Sequence, residues 1–339
     1  MATDVPPRPS PSRPTDGPAG GSASGPEWGL VAVLGLLVVA ALARPALADL
    51  LATPAIANWA TVFVAIAVQA LPFLALGVTV SGAIAAFVPP SVLARALPRR
   101  VALAVPVAAL AGAALPGCEC GSIPIARRLI SRGVPASAAL TFLLAAPAIN
   151  PVVLVSTAVA FPGRPMMVAA RFGGALVAAV AVGLIWAATG DDRLLARAAR
   201  PEPAGGGRLA VFAGTARGDL LSAGGFLVIG AASAATLQTA VPRSAVDAFA
   251  GTPVLAVLAL AVLAVLLSIC SEADAFVAAS LRQFPPVAQV VFLVVGPMVD
   301  LKLVALQAGT FGRRFALRFA PLSLACAVAG GTLAGWWLV

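Results

Sequence analysis

Apolar runs long enough to cross a lipid bilayer recur along the whole chain, and that recurrence excludes most folds. A helix crossing the hydrocarbon core needs about 20 apolar residues. The apolar segments read as 28–51, 58–88, 101–115, 134–161, 165–189, 219–241, 252–269, 286–308 and 315–339, most of them of about that length. Gly and Pro fall inside them, as membrane helices tolerate. A water-soluble fold carries about 25% charged residues. Only 10% of these 339 residues are charged, against 60% hydrophobic. Lipid is therefore the solvent for most of the chain. The fold class expected is an all-α polytopic membrane protein with about nine apolar segments.

The net charge of +9 would point to nucleic acid in a soluble protein. Here the arginines form short clusters between apolar runs, the pattern of cytoplasmic loops. Membrane lipid, not nucleic acid, is the expected partner. The chain has no His, which excludes His-based general bases and HExxH zinc sites. Its only lysine, Lys302, follows Val-Asp-Leu and not a glycine loop, so there is no Walker A motif to use ATP. Cys118, Cys120, Cys270 and Cys326 lie in or beside apolar segments and do not make a disulfide framework. No cofactor is expected, and no metal site is certain.

Residues 1–27 are rich in Pro, Ser and Gly and read as a disordered tail. Ala46-Leu47-Ala48 resembles a signal-peptide cleavage site, but the preceding tail lacks a positive n-region. Residues 28–51 are therefore expected to be an extra, retained transmembrane helix. The stretch 190–217 mixes charges of both signs with Gly205-Gly206-Gly207 and reads as a cytoplasmic linker. It separates two halves, 58–189 and 218–339, that resemble each other. Phe73–Gly77 aligns with Phe226–Gly230, Leu115–Cys118 with Leu267–Cys270, and Pro147–Asn150 with Pro297–Asp300. All three pairs are about 150 residues apart, the mark of an internal repeat.

The arginines supply a topology. Arg95, Arg99 and Arg100 mark one inside loop, and Arg127, Arg128 and Arg132 another. The arm returning from Cys120 to Ser131 would be about 18 Å long as helix, too short for a core of about 30 Å. A re-entrant hairpin with its tip at Pro116-Gly117-Cys118 fits. Carried forward, the linker and Arg313, Arg314 and Arg318 fall inside, and the loop 242–251 outside. The second hairpin, around Cys270, then enters from outside. Two inverted repeats are expected, each with a re-entrant or broken hairpin.

The polar residues concentrate at the breaks. Pro116, Gly117, Gly121 and Pro124 break helix around Cys118, Glu119, Cys120 and Ser122; the counterpart is Cys270-Ser-Glu272-Ala-Asp274. A carboxylate at the bilayer centre costs about 2.5–3.5 kcal/mol on insertion scales. Glu119, Glu272, Asp274, Asp300 and Lys302 must therefore face a cavity, pair together or be protonated. For Asp300 and Lys302 the alternative is a structural pair near a helix end, with Lys302 snorkelling to the interface. Pro147, Asn150 and Pro151 form a further break, matched by Pro297 and Asp300; it serves either as a packing kink or as a polar contact for substrate. Cys118, Cys120 and Cys270 are soft ligands if the tips meet, and small buried hydrophobes otherwise. Cys326 reads as packing. Gln69 and Gln238 read as interhelical hydrogen-bonding groups.

Pro116-Gly-Cys-Glu-Cys-Gly-Ser-Ile-Pro124, Leu144-Ala-Ala-Pro-Ala-Ile-Asn-Pro151, Cys270-Ser-Glu-Ala-Asp-Ala-Phe276 and Gly296-Pro-Met-Val-Asp-Leu-Lys302 together resemble a family. It is the predicted permeases that include YraQ-like proteins and ArsP-type organoarsenical efflux permeases. The resemblance covers about Phe73 to Phe311. The family usually has Cys-Ser-Cys-Gly, whereas this chain has Glu119 between its cysteines. The resemblance implies a permease of the plasma membrane, and a trivalent organoarsenical or other soft metalloid as one candidate solute.

The expectation is thus a multi-pass permease and not an enzyme. It would move a small solute by gradient-driven alternating access around a midplane site built from Cys118, Glu119, Cys120, Ser122, Asn150, Cys270, Glu272, Asp274, Asp300 and Lys302. Two rivals remain: a membrane-embedded thiol redox enzyme using Cys118 and Cys120, and a channel or subunit of a larger complex.

Overall fold

The computed structural model describes residues 53–92, 98, 100–114, 118–195, 207–240 and 252–339. The N-terminal tail, the extra helix expected at 28–51, the outer loop at 242–251, and Pro116 and Gly117 lie outside them. Among the described residues every regular element is helical. The first half contains α1 (Pro54–Phe87), α2 (Val101–Ala113), α3 (Glu119–Ser131), α4 (Ala136–Ile149), α5 (Pro151–Ala160) and α6 (Pro165–Thr189). The second contains α7 (Arg208–Ala240), α8 (Pro253–Leu267), α9 (Ser271–Ser280), α10 (Pro286–Met298), α11 (Leu301–Thr310) and α12 (Arg313–Leu338). A 3₁₀ turn at Asp192–Leu195 follows α6.

Among the described residues six stretches are long and apolar enough to cross a membrane: α1, α4 with α5, α6, α7, α10 with α11, and α12. The α2 and α8 helices are apolar but shorter. At 13 residues each, α2 and α3 reach about 20 Å, which suits the two arms of a hairpin. The first helix of the second half begins at Arg208, some ten residues before the apolar run that marks it and inside the stretch read as linker. Leu209, Val211 and Phe212 give that extra length an apolar character.

Two spans are interrupted, and the interrupting residues also repair the backbone. Pro147 and Pro297 lie in the last turns of α4 and α10, where a proline removes a hydrogen bond. The chain then restarts on a capping side chain. The Val153 amide donates to Asn150 Oδ1 at 3.0 Å, and the Leu303 amide to Asp300 Oδ1 at 2.5 Å. Pro151 occupies the first position of α5, where its missing N–H has no helical partner to lose. Asn150 and Asp300 therefore do the same work in the two halves.

Packing repeats as well. In the first half α4 packs against α2, α3 and α6; in the second α10 packs against α8, α9 and α12. Between the halves α3 meets α11, α9 meets α5, and α6 crosses α12. The last crossing is close because it is made by glycines: a Cβ on Gly174 would lie 3.0 Å from the Gly330 carbonyl oxygen. Small residues let membrane helices approach in this way. Gly77 on α1 and Gly121 on α3 do the same, and a Cβ on Gly121 would lie 2.7 Å from the Phe73 carbonyl oxygen.

At the far end of α3, Arg132 donates to the Val88 carbonyl at 3.0 Å and also to that of Ala85. Helix α1 leaves these carbonyls without a helical partner. Arg127 pairs with Asp219 of α7 at 2.8 Å, and Ser81 of α1 donates to the other oxygen of Asp219 at 2.7 Å. Polar side chains thus fasten the base of the first hairpin arm to α1 and α7.

Candidate functional site

The α3 and α9 helices both start on a cysteine, Cys118 and Cys270, in extended conformation. Before α9 the chain turns at Ser268, the only non-glycine residue of positive φ among those described. Its hydroxyl accepts from the Leu301 amide at 3.1 Å, which ties the second tip to the break between α10 and α11.

The two tips touch. Ser271 Oγ, at the start of α9, donates to Glu119 Oε2 at 3.2 Å. The other carboxylate oxygen of Glu119 meets Lys302 Nζ at 2.5 Å. Lys302 Nζ also lies 3.8 Å from Asp300 Oδ2 and donates to the Ser268 carbonyl at 3.4 Å. Lys302 is only 1% exposed. It does not snorkel, because two carboxylates and a carbonyl hold it inside. The Cys118 thiol interacts with those of Cys120 and Cys270, and all the cysteines are free. Among the described residues no set of three or more His, Cys, Asp or Glu is arranged to hold a metal ion. Cys326 is half-buried on α12, apart from these groups in sequence and role.

One central residue escapes the reading of the sequence. Arg171, on α6, is completely buried. It donates from Nη1 to Thr157 Oγ1 of α5 and from Nη2 to the Ser271 carbonyl of α9, both at 2.8 Å. Asp274 and Glu272 lie within its electrostatic reach. A lone arginine inside an apolar run was the available signal, since an ionisable residue within a span is functional by default. Its partners, a carbonyl and a threonine, carry no signature in sequence.

Glu119, Cys118, Cys120, Ser122, Cys270, Asp274, Asp300 and Lys302 are all buried, and Glu272 is half-buried. Both Glu272 oxygens and Asp274 Oδ2 are buried without a hydrogen-bond partner among the described residues. Asp274 fits because Gly296 faces it, a Cβ there colliding with Oδ2. Asn150 is buried too, but its amide serves its own helix, donating to the Ala146 carbonyl at 3.0 Å. Ser122 donates to the Glu119 carbonyl at 2.9 Å. Gln238 bonds the Leu267 carbonyl across to α8, the interhelical role expected of it.

The cluster is closely packed. A cavity of about 20 Å³ touches Cys118 and Ser122, room for about one water. Two larger cavities lie along helices that also build the cluster. One, of about 90 Å³, is lined by Ile123, Arg127, Asp219, Ser222 and Thr310. The other, of about 540 Å³, is lined by Phe161, Arg164, Arg282, Phe284 and Gln289. Equivalent positions line both: Thr310 in the first corresponds to Ala160 in the second, and Arg127 to Ala279.

A family model described as a predicted permease matches residues 55–336. The "UPF0718 protein YcgR" of Bacillus subtilis is 39% identical over 280 residues, which cover 80% of this chain and 95% of the relative. A Streptococcus mutans protein named "Putative two-component membrane permease complex subunit" is 33% identical over 270 residues, covering 77% of this chain and 90% of its own length. No solved structure matches the chain.

Proposed function

This chain belongs to the predicted permease family, and on that premise we propose that it moves a small solute by alternating access around the buried cluster between the two hairpin tips. It is a multi-pass membrane protein. The observation that carries the proposal is the contact of the tips themselves: Ser271–Glu119–Lys302 joins α9, α3 and α11 deep in the bundle. Polar groups at such depth are costly unless they serve one another or a ligand.

The halves act as inverted repeats. Each contributes three of the six spanning stretches, and an odd number of crossings starts the second half from the opposite side. The repeated pairings of α4 and α10, and the exchanged contacts α3–α11 and α9–α5, support this. The two larger cavities then open toward opposite faces, with the closed cluster between them. Alternating access is a rocking of one repeat on the other that joins the cluster to each cavity in turn.

Charge balance favours a gradient as the source of energy. Among the described residues, Glu119, Glu272, Asp274 and Asp300 are met in the cluster by the cations Lys302 and Arg171 alone. An excess of two negative charges in a dry interior is strongly unfavourable. The site therefore takes up positive charge, as protons on its carboxyl groups or as a cation. Cys118, Cys120 and Cys270 add softness, so a soft electrophile such as a trivalent metalloid compound is the solute class that suits the site.

The test is flux in proteoliposomes against a panel of metalloids, metals and thiol compounds. Wild type is compared with Cys118→Ser, Glu119→Gln and Lys302→Met. Loss of flux in the variants, with folding retained, supports the proposal; equal flux in all four removes the tips from the mechanism. The name of the streptococcal relative favours a second reading, in which the chain is one subunit of a two-component permease. Under it the purified chain is inert alone and gains flux with a co-purified membrane partner.

A further inference from the structure

The larger cavity differs chemically from its counterpart, and the difference points to a ligand. In the smaller cavity Arg127 is neutralised by Asp219 at 2.8 Å. In the larger, Arg164 and Arg282 are exposed, and neither has a carboxylate partner among the described residues. They come from different turns of the two halves, Arg164 from the turn before α6 and Arg282 from the turn before α10. Both helices start at the cavity, on Pro165 and Pro286, so their unsatisfied amides and dipoles add positive potential.

Two further observations indicate a site and not a pair of stray surface charges. Gln289, 4% exposed, lines the cavity with its amide nitrogen donating to the Leu281 carbonyl at 2.8 Å. Its carbonyl oxygen is buried and has no hydrogen-bond partner among the described residues. A buried acceptor left open calls for a donor from a ligand. Arginines are also enriched on the cytoplasmic side of membrane proteins, whereas the inverted topology proposed above puts Arg164 and Arg282 on the opposite side. Topogenesis does not account for them there.

We infer that this cavity binds a small oxyanion, held by the forks of Arg164 and Arg282, with its hydroxyl or other donor directed to the Gln289 carbonyl. A guanidinium fork matches a phosphate or carboxylate geometry, and about 540 Å³ accommodates a group of that size. The anion is either a free ion in the aqueous mouth or the phosphate of a lipid headgroup; the recognising chemistry is shared. The site is separate from the tip cluster and does not require the thiols.

The full chain in phosphatidylcholine nanodiscs is titrated with inorganic phosphate, and line broadening of the free phosphate ³¹P resonance is followed. Wild type and Arg127→Gln are expected to bind alike. The double variant Arg164→Gln/Arg282→Gln is expected to bind at least about tenfold more weakly, since two charge-assisted contacts are gone, with its thermal melt unchanged because both side chains are exposed. Competition by phosphatidylglycerol in the nanodisc, lost in the same double variant, identifies the lipid headgroup as occupant and equally supports the site. Binding of neither phosphate nor phosphatidylglycerol by the wild type, or equal binding by wild type and double variant, overturns it. This readout involves no transport, so its result is independent of whether the tip variants lose flux.

Discussion

At the scale of single residues, the site depends on a few buried charges whose removal should be costly. Lys302 holds Glu119 and Asp300 together, so Lys302→Met leaves a carboxylate buried without its cation. Breaking such a pair from one side costs about 3–5 kcal/mol. The thermal melt of Lys302→Met in detergent should fall sharply, and Lys302→Met/Glu119→Gln should recover much of the loss. If the double variant melts no higher than the single one, the pair is not the source of the effect. Arg171 offers a finer distinction. Its two donors reach different helices, and Lys cannot reproduce a two-armed fork. Arg171→Lys should therefore keep the fold but lower flux, seen as retained monodisperse protein with reduced transport. Neither contact could be read from sequence, because Thr157 and the Ser271 carbonyl become partners only when α5, α6 and α9 converge.

At the scale of elements, the two interrupted helices allow capping to be separated from charge. Asn150 and Asp300 each accept an amide from the helix they start. Losing such a cap costs about 1 kcal/mol. Asn150→Ala should lower stability by about that amount, measured by chemical or thermal unfolding, with little change in transport. Asp300→Asn keeps a good cap but removes the charge beside Lys302; it should hold stability within about 1 kcal/mol while altering flux. Equal behaviour of the two variants in both assays would show that Asp300 does nothing beyond capping. These breaks were legible, since a proline three residues before a capping side chain is a local signal. The close approach of α1 to α3 was not: Gly77 and Gly121 are two glycines among 32. Gly121→Val should be severely disruptive, because the Phe73 carbonyl leaves no space for it. Overpacking of this kind costs about 1–3 kcal/mol, and the variant's melt should fall by more than that of Gly173→Val, where space is open.

At the scale of the whole molecule, inverted repeats make a prediction about sidedness. Cysteines placed at Arg127 and Arg282 should react with an impermeant thiol reagent from opposite faces of intact cells. Reaction of both from one face refutes the inversion. The apolar runs announced the spanning helices, since lipid leaves a chain few alternatives to helix. The shortness of α3 was legible for the same reason, since residues 120–131 are too few to cross. Where α7 starts was less so, because amphipathic residues beyond the apolar run can extend a helix into water.

The sequence alone determined that this protein lives in lipid, that it is helical, where its helices break, and which costly side chains gather at the breaks. Those are consequences of local chemistry: hydrophobic length, proline, and the expense of charge away from water. The tertiary structure decided which of these groups meet. Lys302 was equally compatible with snorkelling to the interface until Glu119, more than 180 residues away, turned out to lie 2.5 Å from its amine. Pairings between distant segments follow from how helices pack, and packing is set by many weak contacts at once, none of which a linear sequence displays.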